Sequence, residues 1–550
     1  MNLYQKFVTR EYANAQDFLQ NYVPVIPENF NYARDVIDVY AANEPNRRAL
    51  VWCDDHDGER IFTFGELARL VNVAANMFAA QGIVKGDAVL LILRRRYEYW
   101  IAVLALCKLG AIAIPATNQL MQKDVEYRCN AAGVKMIVSV VQDELLGQVE
   151  KALVNCPKVQ LRMTVAGHRD GWLNWDEQMQ GHPCERETAH NQNDDPMLIY
   201  FTSGSTGMPK MVLHDFTYPL GHLPTGVYWH NLTERDLHIT VADSGWAKCS
   251  WGKIYGQWLA GAALFVYDMD KFVPLKLLEK LAQYKVTSLC APPTVFRYLI
   301  KEDLSQYELS SLRHGSTAGE PLNPSVYNAF LEATGVGLRE AFGQTESGAI
   351  TGAWMDMPVR VGSIGKPNPQ YEVVLMAPDG QLCETGEEGE ICIKWPESGH
   401  PLGLLTEYYN DKALTDNVIF NGYYHTGDIA WQDEEGYFWF VGRSDDIIKS
   451  SGYRIGPFEV ESALTAHPAV TECAITGVPH PDRGQVVKAT VVLSDGYTPG
   501  PEMVKILQDY VKKATAPYKY PRIIEFVEEL PKTFSGKIRR KHIREQDENK

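Results

Sequence analysis

Hydroxyls, glycines and one lysine crowd into residues 202 to 210, Thr-Ser-Gly-Ser-Thr-Gly-Met-Pro-Lys, directly after the apolar run Met197, Leu198, Ile199, Tyr200 and Phe201. The run reads as a buried strand. A loop opening from it offers backbone N–H groups, the hydroxyls of Thr202, Ser203, Ser205 and Thr206, and the Lys210 cation to a polyphosphate. Gly204 and Gly207 let the backbone approach such a ligand closely. This is not a Walker loop, because Lys210 follows Pro209 and no Ser or Thr comes after it. Taken alone, the stretch fits a glycine-rich surface turn as well as a phosphate cradle.

Further segments change that balance. They are Gly315-Ser-Thr-Ala-Gly-Glu-Pro321, Ala341-Phe-Gly-Gln-Thr-Glu-Ser347, Tyr424-His-Thr-Gly-Asp428 with Gly442-Arg-Ser-Asp-Asp446, and Pro531-Lys-Thr-Phe-Ser-Gly-Lys-Ile-Arg539. In that order, after Thr202 to Lys210, they resemble the motifs of the ATP-dependent acyl-adenylate-forming enzymes. The resemblance covers nearly the whole chain and is nearest the medium-chain acyl-CoA synthetase branch.

The resemblance implies a ligase that converts a carboxylic acid and ATP to acyl-AMP and pyrophosphate, then transfers the acyl group to CoA. Thr202, Ser203, Gly204, Ser205, Thr206, Gly207 and Lys210 would hold the β- and γ-phosphates, with Glu346 on Mg²⁺ and Thr345 at the α-phosphate. The adenine would lie against Ala318, Gly319, Glu320 and Pro321 and the stretch Phe342, Gly343, Gln344. Phe342 stands where the family usually carries tyrosine, keeping the stacking and losing the hydroxyl. Asp428 and Arg443 would bind the ribose. Lys537 would be the catalytic cation bridging substrate carboxylate and α-phosphate, with Thr202, Lys210 and Glu346 as the other catalytic groups. Outside this company the same residues read blandly: Glu346 as an acid at a helix start, Asp428 as a turn residue, Lys537 as part of a solvated basic loop.

For the second step the resemblance implies rotation of the C-terminal domain about a hinge at Asp445. Ser450 to Ile455 would then approach the nucleotide, Ser451 and Gly452 admitting CoA and Arg454 meeting phosphate. Trp246, Lys248, Trp251, Cys290 and Gly343 are the expected acyl-pocket residues, Trp251 being equally readable as core. An acid of short to medium length, branching included, is expected. An enzyme loading a carrier protein, and an aryl (benzoate-like) or acetate-specific CoA ligase, are the alternatives, and no carrier-attachment Gly-Gly-x-Ser follows. A binding-only sensor fits poorly with Lys210, Glu346, Asp428, Arg443 and Lys537 all in place. By family analogy Lys537 is also a target for an acetyltransferase and deacetylase.

These groups need scaffolding from more than one core, since single cores stop growing near about 250–300 residues and the chain has 550. From about 60 to 320, helical patterns alternate with short β-rich runs, predicting α/β layers around parallel sheets. Helix–strand pairs are expected at 99–109 with 111–114, 275–284 with 287–290, and 324–334 with 337–341. Beyond about 366, strands at 372–376, 389–394, 429–432 and 437–441 predict a small β-rich subdomain to 444. From 445 to 550 an α+β domain follows, with helices at 458–467 and 501–514 and strands at 470–476, 486–493 and 523–528. The expected fold is thus a large N-terminal domain (1–444) of α/β subdomains and a mobile C-terminal domain.

The net charge of −16 argues against nucleic acid or an anionic membrane as a general partner, since the summed field repels both. Ten cysteines occur singly, without zinc spacing. With no apolar run of membrane length and no leader pattern at the N-terminus, a cytoplasmic location is expected.

Overall fold

The structure, a computed structural model, describes residues 2–202, 208–451, 453–532 and 538–548. It is a mixed α/β molecule with a large N-terminal domain and a smaller C-terminal one. Two large sheets organise the N-terminal domain. The first has nine strands, whose parallel centre holds, side by side, Leu338–Gly343, His314–Ala318, Ser288–Ala291, Leu237–Thr240, Ala263–Asp268 and Arg48–Asp54. The second has eight and includes Ile112–Pro115, Ala88–Ile92, Met136–Val140 and, at one side, the antiparallel pair Pro196–Thr202 and Lys210–Asp215.

Strands buried on both faces explain the continuous apolar runs. Ala88–Ile92 and Met136–Val140 are buried along their whole length. The helix Glu98–Leu109 is buried at every position, so its 3.6-residue pattern marks a helix that is covered all round. Its Lys108 is 1% exposed and donates to Asp38 at 2.7 Å and Asn72 at 2.6 Å; a buried ammonium requires such partners. Gly110, at φ 73°, ends the helix in the left-handed conformation that glycine adopts without strain.

The expected helix–strand pairs appear as Glu98–Leu109 with Ile112–Pro115, Pro274–Gln283 with Ser288–Ala291, and Pro324–Thr334 with Leu338–Gly343. The third sheet contains Val373–Met376, Glu388–Lys394, Tyr423–Gln432 and Phe438–Arg443. Here one element is longer than expected. Tyr423–Gln432 starts six residues before 429, because Gly427 at φ 72° lets the chain pass an irregularity in pairing and continue as strand. In the C-terminal domain Gly484–Leu493 pairs with Val470–His480, Ile448–Ser450 and Ile523–Phe526, and Pro457–Thr465 and Pro501–Ala514 pack on that sheet. Among the described residues no helix is long and apolar enough to cross a membrane.

The strands that carry the motifs end at one region. Thr202, Ala318 and Gly343 are each the last residue of their strand, the edge at which open α/β sheets present ligand sites.

Candidate functional site

The apolar strand Pro196–Thr202 is buried through its middle, and the chain returns antiparallel along Lys210–Asp215. Thr202 and Lys210 stand directly opposite each other in that register. Their shared loop, Ser203, Gly204, Ser205, Thr206 and Gly207, lies outside the described residues. Next to Lys210, the Pro209 carbonyl accepts a hydrogen bond from Tyr127 at 2.9 Å.

A short strand, Glu407–Tyr408, adds to Lys210–Asp215 and puts Tyr408 between two expected site residues. Lys210 Nζ lies 5.0 Å from the centre of the Tyr408 ring, within cation–π range. The Tyr408 hydroxyl donates to Glu346 Oε1 at 2.7 Å. Burial, with the Glu346 charge beside it, pushes the phenol well up, so it stays a donor. Glu346 is only 9% exposed. With one oxygen engaged by Tyr408, it suits a hard cation that takes one protein carboxylate and completes its shell with phosphate oxygens and water.

Thr345 is anchored through its backbone. Burial brings the His214 imidazole down to about 4, so the ring is neutral and its Nε2, 3.0 Å from the Thr345 carbonyl, carries the proton. Gln344 reaches the other way. Its Nε2 donates to Asp428 Oδ2 at 2.5 Å and to the Thr426 carbonyl at 2.8 Å, while its Oε1 accepts from Tyr424 at 2.6 Å. Asp428 is buried and stands in register opposite Arg443, whose Nη1 is 3.7 Å from it. Arg443 Nε is also 3.5 Å from the exposed Asp445. Tyr408 therefore joins Lys210 to Glu346, and Gln344 joins Tyr424 to Asp428 and Arg443, the two groups meeting along the chain at Gln344 to Glu346.

Gly319 has φ 103°, a conformation that suits glycine, and faces Lys248 Nζ 4.0 Å from where a Cβ would be. Lys248 Nζ also donates to the Ala318 carbonyl. Glu320 is tied to Arg297 at 3.2 Å and Thr294 at 2.9 Å, so its carboxylate is committed to the helix Pro293–Leu299, and Pro321 follows it in the chain. Phe342 is half-buried, its ring 5.7 Å from that of Phe440.

Trp251 and Gly343 are in direct contact. A Cβ at Gly343 would lie 2.3 Å from both Trp251 Cη2 and the Gly348 carbonyl oxygen. Trp251 is buried, donates to the Ser347 carbonyl at 3.1 Å and meets Trp229 edge-on at 6.3 Å. Cys290 is buried in Ser288–Ala291, next to Ser316 in register, and Trp246 is half-buried beside Gly245.

Ser451 donates its N–H to the Arg483 carbonyl, and Arg454 is exposed on Tyr453–Ile455. Among the described residues no hydrogen bond or ion pair links either to the Glu346–Asp428 group. Gly452 and Lys537 lie outside the described residues. Sequence reasoning missed Tyr408, Tyr127 and His214, and marked Tyr424 only as the first residue of the ribose motif. The first three sit in no local pattern that advertises chemistry, since each acts by long-range contact.

The AMP-binding enzyme family matches residues 37–409, and its C-terminal domain family matches residues 459–537. The mouse (Mus musculus) mitochondrial acyl-coenzyme A synthetase ACSM4 is 42% identical over 532 residues, covering 95% of this chain and 91% of the relative. The mouse mitochondrial synthetase ACSM3 is 39% identical over 555 residues, covering 99% and 95%. Among solved structures, the anthranilate CoA ligase AuaEII in complex with anthranoyl-AMP aligns with a TM-score of 0.87 at 29% identity, covering 95% of this chain and 98% of that one. An acyl-CoA synthetase from Brucella canis aligns at 0.72 and 33% identity, covering 94% of each. The cytoplasmic location expected above is corrected by these relatives, since the matched synthetases are mitochondrial. The weak point was reading a compartment from the lack of a leader pattern.

Proposed function

The chain belongs to the AMP-binding enzyme family and is an AMP-forming acyl-CoA synthetase that uses ATP, Mg²⁺ and CoA, and from that premise we propose how its residues divide the two half-reactions. The observation that carries this reading is the contact chain Lys210–Tyr408–Glu346 beside Gln344–Asp428–Arg443 at the ends of the strands.

In the first half-reaction, a substrate carboxylate oxygen forms a bond to the α-phosphorus of ATP, and the bond to the bridging oxygen of pyrophosphate breaks. Thr202, Ser203, Ser205, Thr206 and Lys210, with the backbone at Gly204 and Gly207, hold the leaving phosphates, and Thr345 holds the α-phosphate. Glu346 holds the magnesium, which when bound neutralises phosphate charge. Asp428 accepts from the ribose hydroxyls, Gln344 keeps its carboxylate in place, and Arg443 faces the same sugar. Ala318 to Pro321 and Phe342 to Gln344 flank the adenine, with Glu320 acting through its backbone because its side chain is bound to Arg297 and Thr294. Lys537 stabilises the charge that builds between carboxylate and phosphate, as preorganised donors do at developing charge.

In the second half-reaction, the CoA thiol gives up its proton to solvent, its sulfur bonds to the acyl carbon, and the bond from that carbon to the phosphate oxygen breaks as AMP leaves. Asp445 is the proposed hinge between the domains of residues 1–444 and 445–550. Its neighbour Asp446 is ion-paired to Arg540 and Arg544 of the C-terminal domain, whereas Asp445 itself lies 3.5 Å from Arg443. Two adjacent acids thus face different domains. Rotation there brings Ser451 and Arg454 from their exposed positions, with Gly452 between them in the chain, to the thiol and nucleotide.

The acyl pocket is assigned to Trp246, Lys248, Trp251, Cys290 and Gly343, with Trp251 as its floor against Gly343. A bulky floor favours acids of short to medium length, branched ones included. Steady-state AMP release on adding CoA, measured against straight, branched and aromatic acids, tests this. A preference for benzoate-like acids, or release that requires a carrier protein in place of CoA, would replace it. Acetylation of Lys537 would switch off the first half-reaction by removing its charge, and mass spectrometry after incubation with an acetyl donor and acetyltransferase must find the mark there.

A further inference from the structure

Glu390, Cys392 and His425 take no part in the chemistry above, yet each brings a donor atom within 4.8 Å of the other two. Glu390 and Cys392 are two apart on Glu388–Lys394, so they share a face of the strand. Cys392 stands opposite His425 on Tyr423–Gln432. The irregularity in pairing between Glu390 and Cys392 then brings Glu390 to the same imidazole. Cys392 Sγ is 3.4 Å, and Glu390 Oε2 3.0 Å, from the one nitrogen His425 Nδ1. The Phe420 ring lies flat on the imidazole, 3.8 Å away and 1° from parallel, and fixes its plane. Glu390 Oε1 accepts from Gly427 N–H at 2.7 Å, which fixes the carboxylate. Cys392 is fully buried, the His425 side chain is 9% exposed and that of Glu390 26%, so the group opens to solvent along the carboxylate.

As bare side chains the three share a single proton, since one neutral Nδ1–H must serve both the Glu390 carboxylate and the weakly accepting Cys392 sulfur. One small cation would use all three donors. Tetrahedral zinc with bonds of about 2.0–2.3 Å keeps its ligand atoms roughly 3.3–3.7 Å apart, so the two spacings to His425 need changes of only tenths of an ångström, and Cys392 and Glu390 already lie within 4.8 Å of each other. Thiolate and imidazole beside one carboxylate select a borderline-soft ion over magnesium. We propose that Glu390, Cys392 and His425 form a zinc site, separate from the magnesium position at Glu346, with its fourth place open to water. On binding, the thiol proton is released to solvent, the sulfur–zinc bond forms, and the imidazole proton resides on Nε2.

A consequence that rests on the functional reading above is that the ion would stiffen the strand bearing the ribose acid, because Glu390 holds Gly427, the residue before Asp428. The test itself does not depend on that reading. The full-length protein, in excess Mg²⁺, is titrated with Co²⁺ and followed by its visible absorption and the thiolate-to-cobalt charge-transfer band, then with Zn²⁺. The expected result is one Co²⁺ per chain, displaced by one Zn²⁺. Cys392→Ser should abolish the charge-transfer band, and Glu390→Gln and His425→Gln should each weaken Co²⁺ binding at least tenfold. Cys184→Ser, which removes an exposed thiol, should leave the band intact. Absence of the band from the wild-type protein overturns the proposal. So does a band that persists in a folded Cys392→Ser or, should that variant not fold, unweakened binding by His425→Gln.

Discussion

Tyr408 joins the cationic and acidic parts of the site through the two faces of one side chain. Its ring faces Lys210, and its hydroxyl donates to Glu346. Tyr408→Phe keeps the ring and removes only the hydroxyl, leaving Glu346 free to turn. A hydrogen bond to a charged group is worth about 1.5–3 kcal/mol, so the Mg²⁺ concentration for half-maximal pyrophosphate exchange should rise about ten- to hundredfold, with the KM for the acid little changed. An equal loss in all parameters would assign Tyr408 a role in general packing. The motif residues were legible because their local company is distinctive: Thr202 and Lys210 bound one loop, and Gly343 to Glu346 run in sequence. Tyr408 and His214 were not legible, since their partners lie 62 and 131 positions away. The place of Glu320 in Gly319-Glu-Pro is visible in the sequence, but the salt bridge to Arg297 that holds its side chain is not.

The short helix Lys248–Gly252 carries Trp251 against the strand end at Gly343. If that indole is the pocket floor, Trp251→Ala should lengthen the preferred acid, each further buried methylene being worth about 0.8 kcal/mol. Chain-length ranking of kcat/KM checks this, and an unchanged ranking in a folded variant would return Trp251 to the core. The strand Leu338–Gly343 has its own titration. Burial raises Glu340 from its ordinary 4.5 to about 8, although its carboxylate accepts the Leu322 N–H at 3.2 Å. Between those values the folded state holds a proton that the unfolded chain has lost, so stability falls as pH rises. Burial has the opposite effect on His214, His222, His238 and His314, whose pKa values drop to between about 3 and 4. They cost stability as pH falls through the unfolded histidine value of about 6.5, where the unfolded rings are already half protonated. Glu340 is therefore isolated by difference: from pH 6.5 to 8 the wild type should lose about 1–2 kcal/mol relative to Glu340→Gln, at 1.36 kcal/mol per unit of pH and proton. Urea unfolding of both proteins across that range checks this; parallel pH profiles would contradict a protonated Glu340. Strand and helix periods located these elements, but neither period reveals which acid is desolvated.

At the scale of the whole molecule, the architecture was readable where apolar runs and glycine turns alternate. It was misjudged at Tyr423–Gln432, where Gly427 permits a bulge in place of a break. The orientation of the two domains has no local code, because it rests on contacts such as Asn323 to Thr465 at 2.8 Å. If the domains turn about Asp445, Asp445→Pro, fixing φ near about −65°, should leave pyrophosphate exchange close to wild type while CoA-dependent AMP release collapses. Normal overall turnover would place the hinge elsewhere. The division of labour itself is tested most directly by Lys537→Ala, assayed separately in each half-reaction. Removing a charge needed only while the mixed anhydride forms should lower pyrophosphate exchange by at least the roughly 10²–10³ typical of one lost transition-state donor. Thioester formation from supplied acyl-AMP and CoA should remain near the wild-type rate; equal loss in both half-reactions would contradict the account.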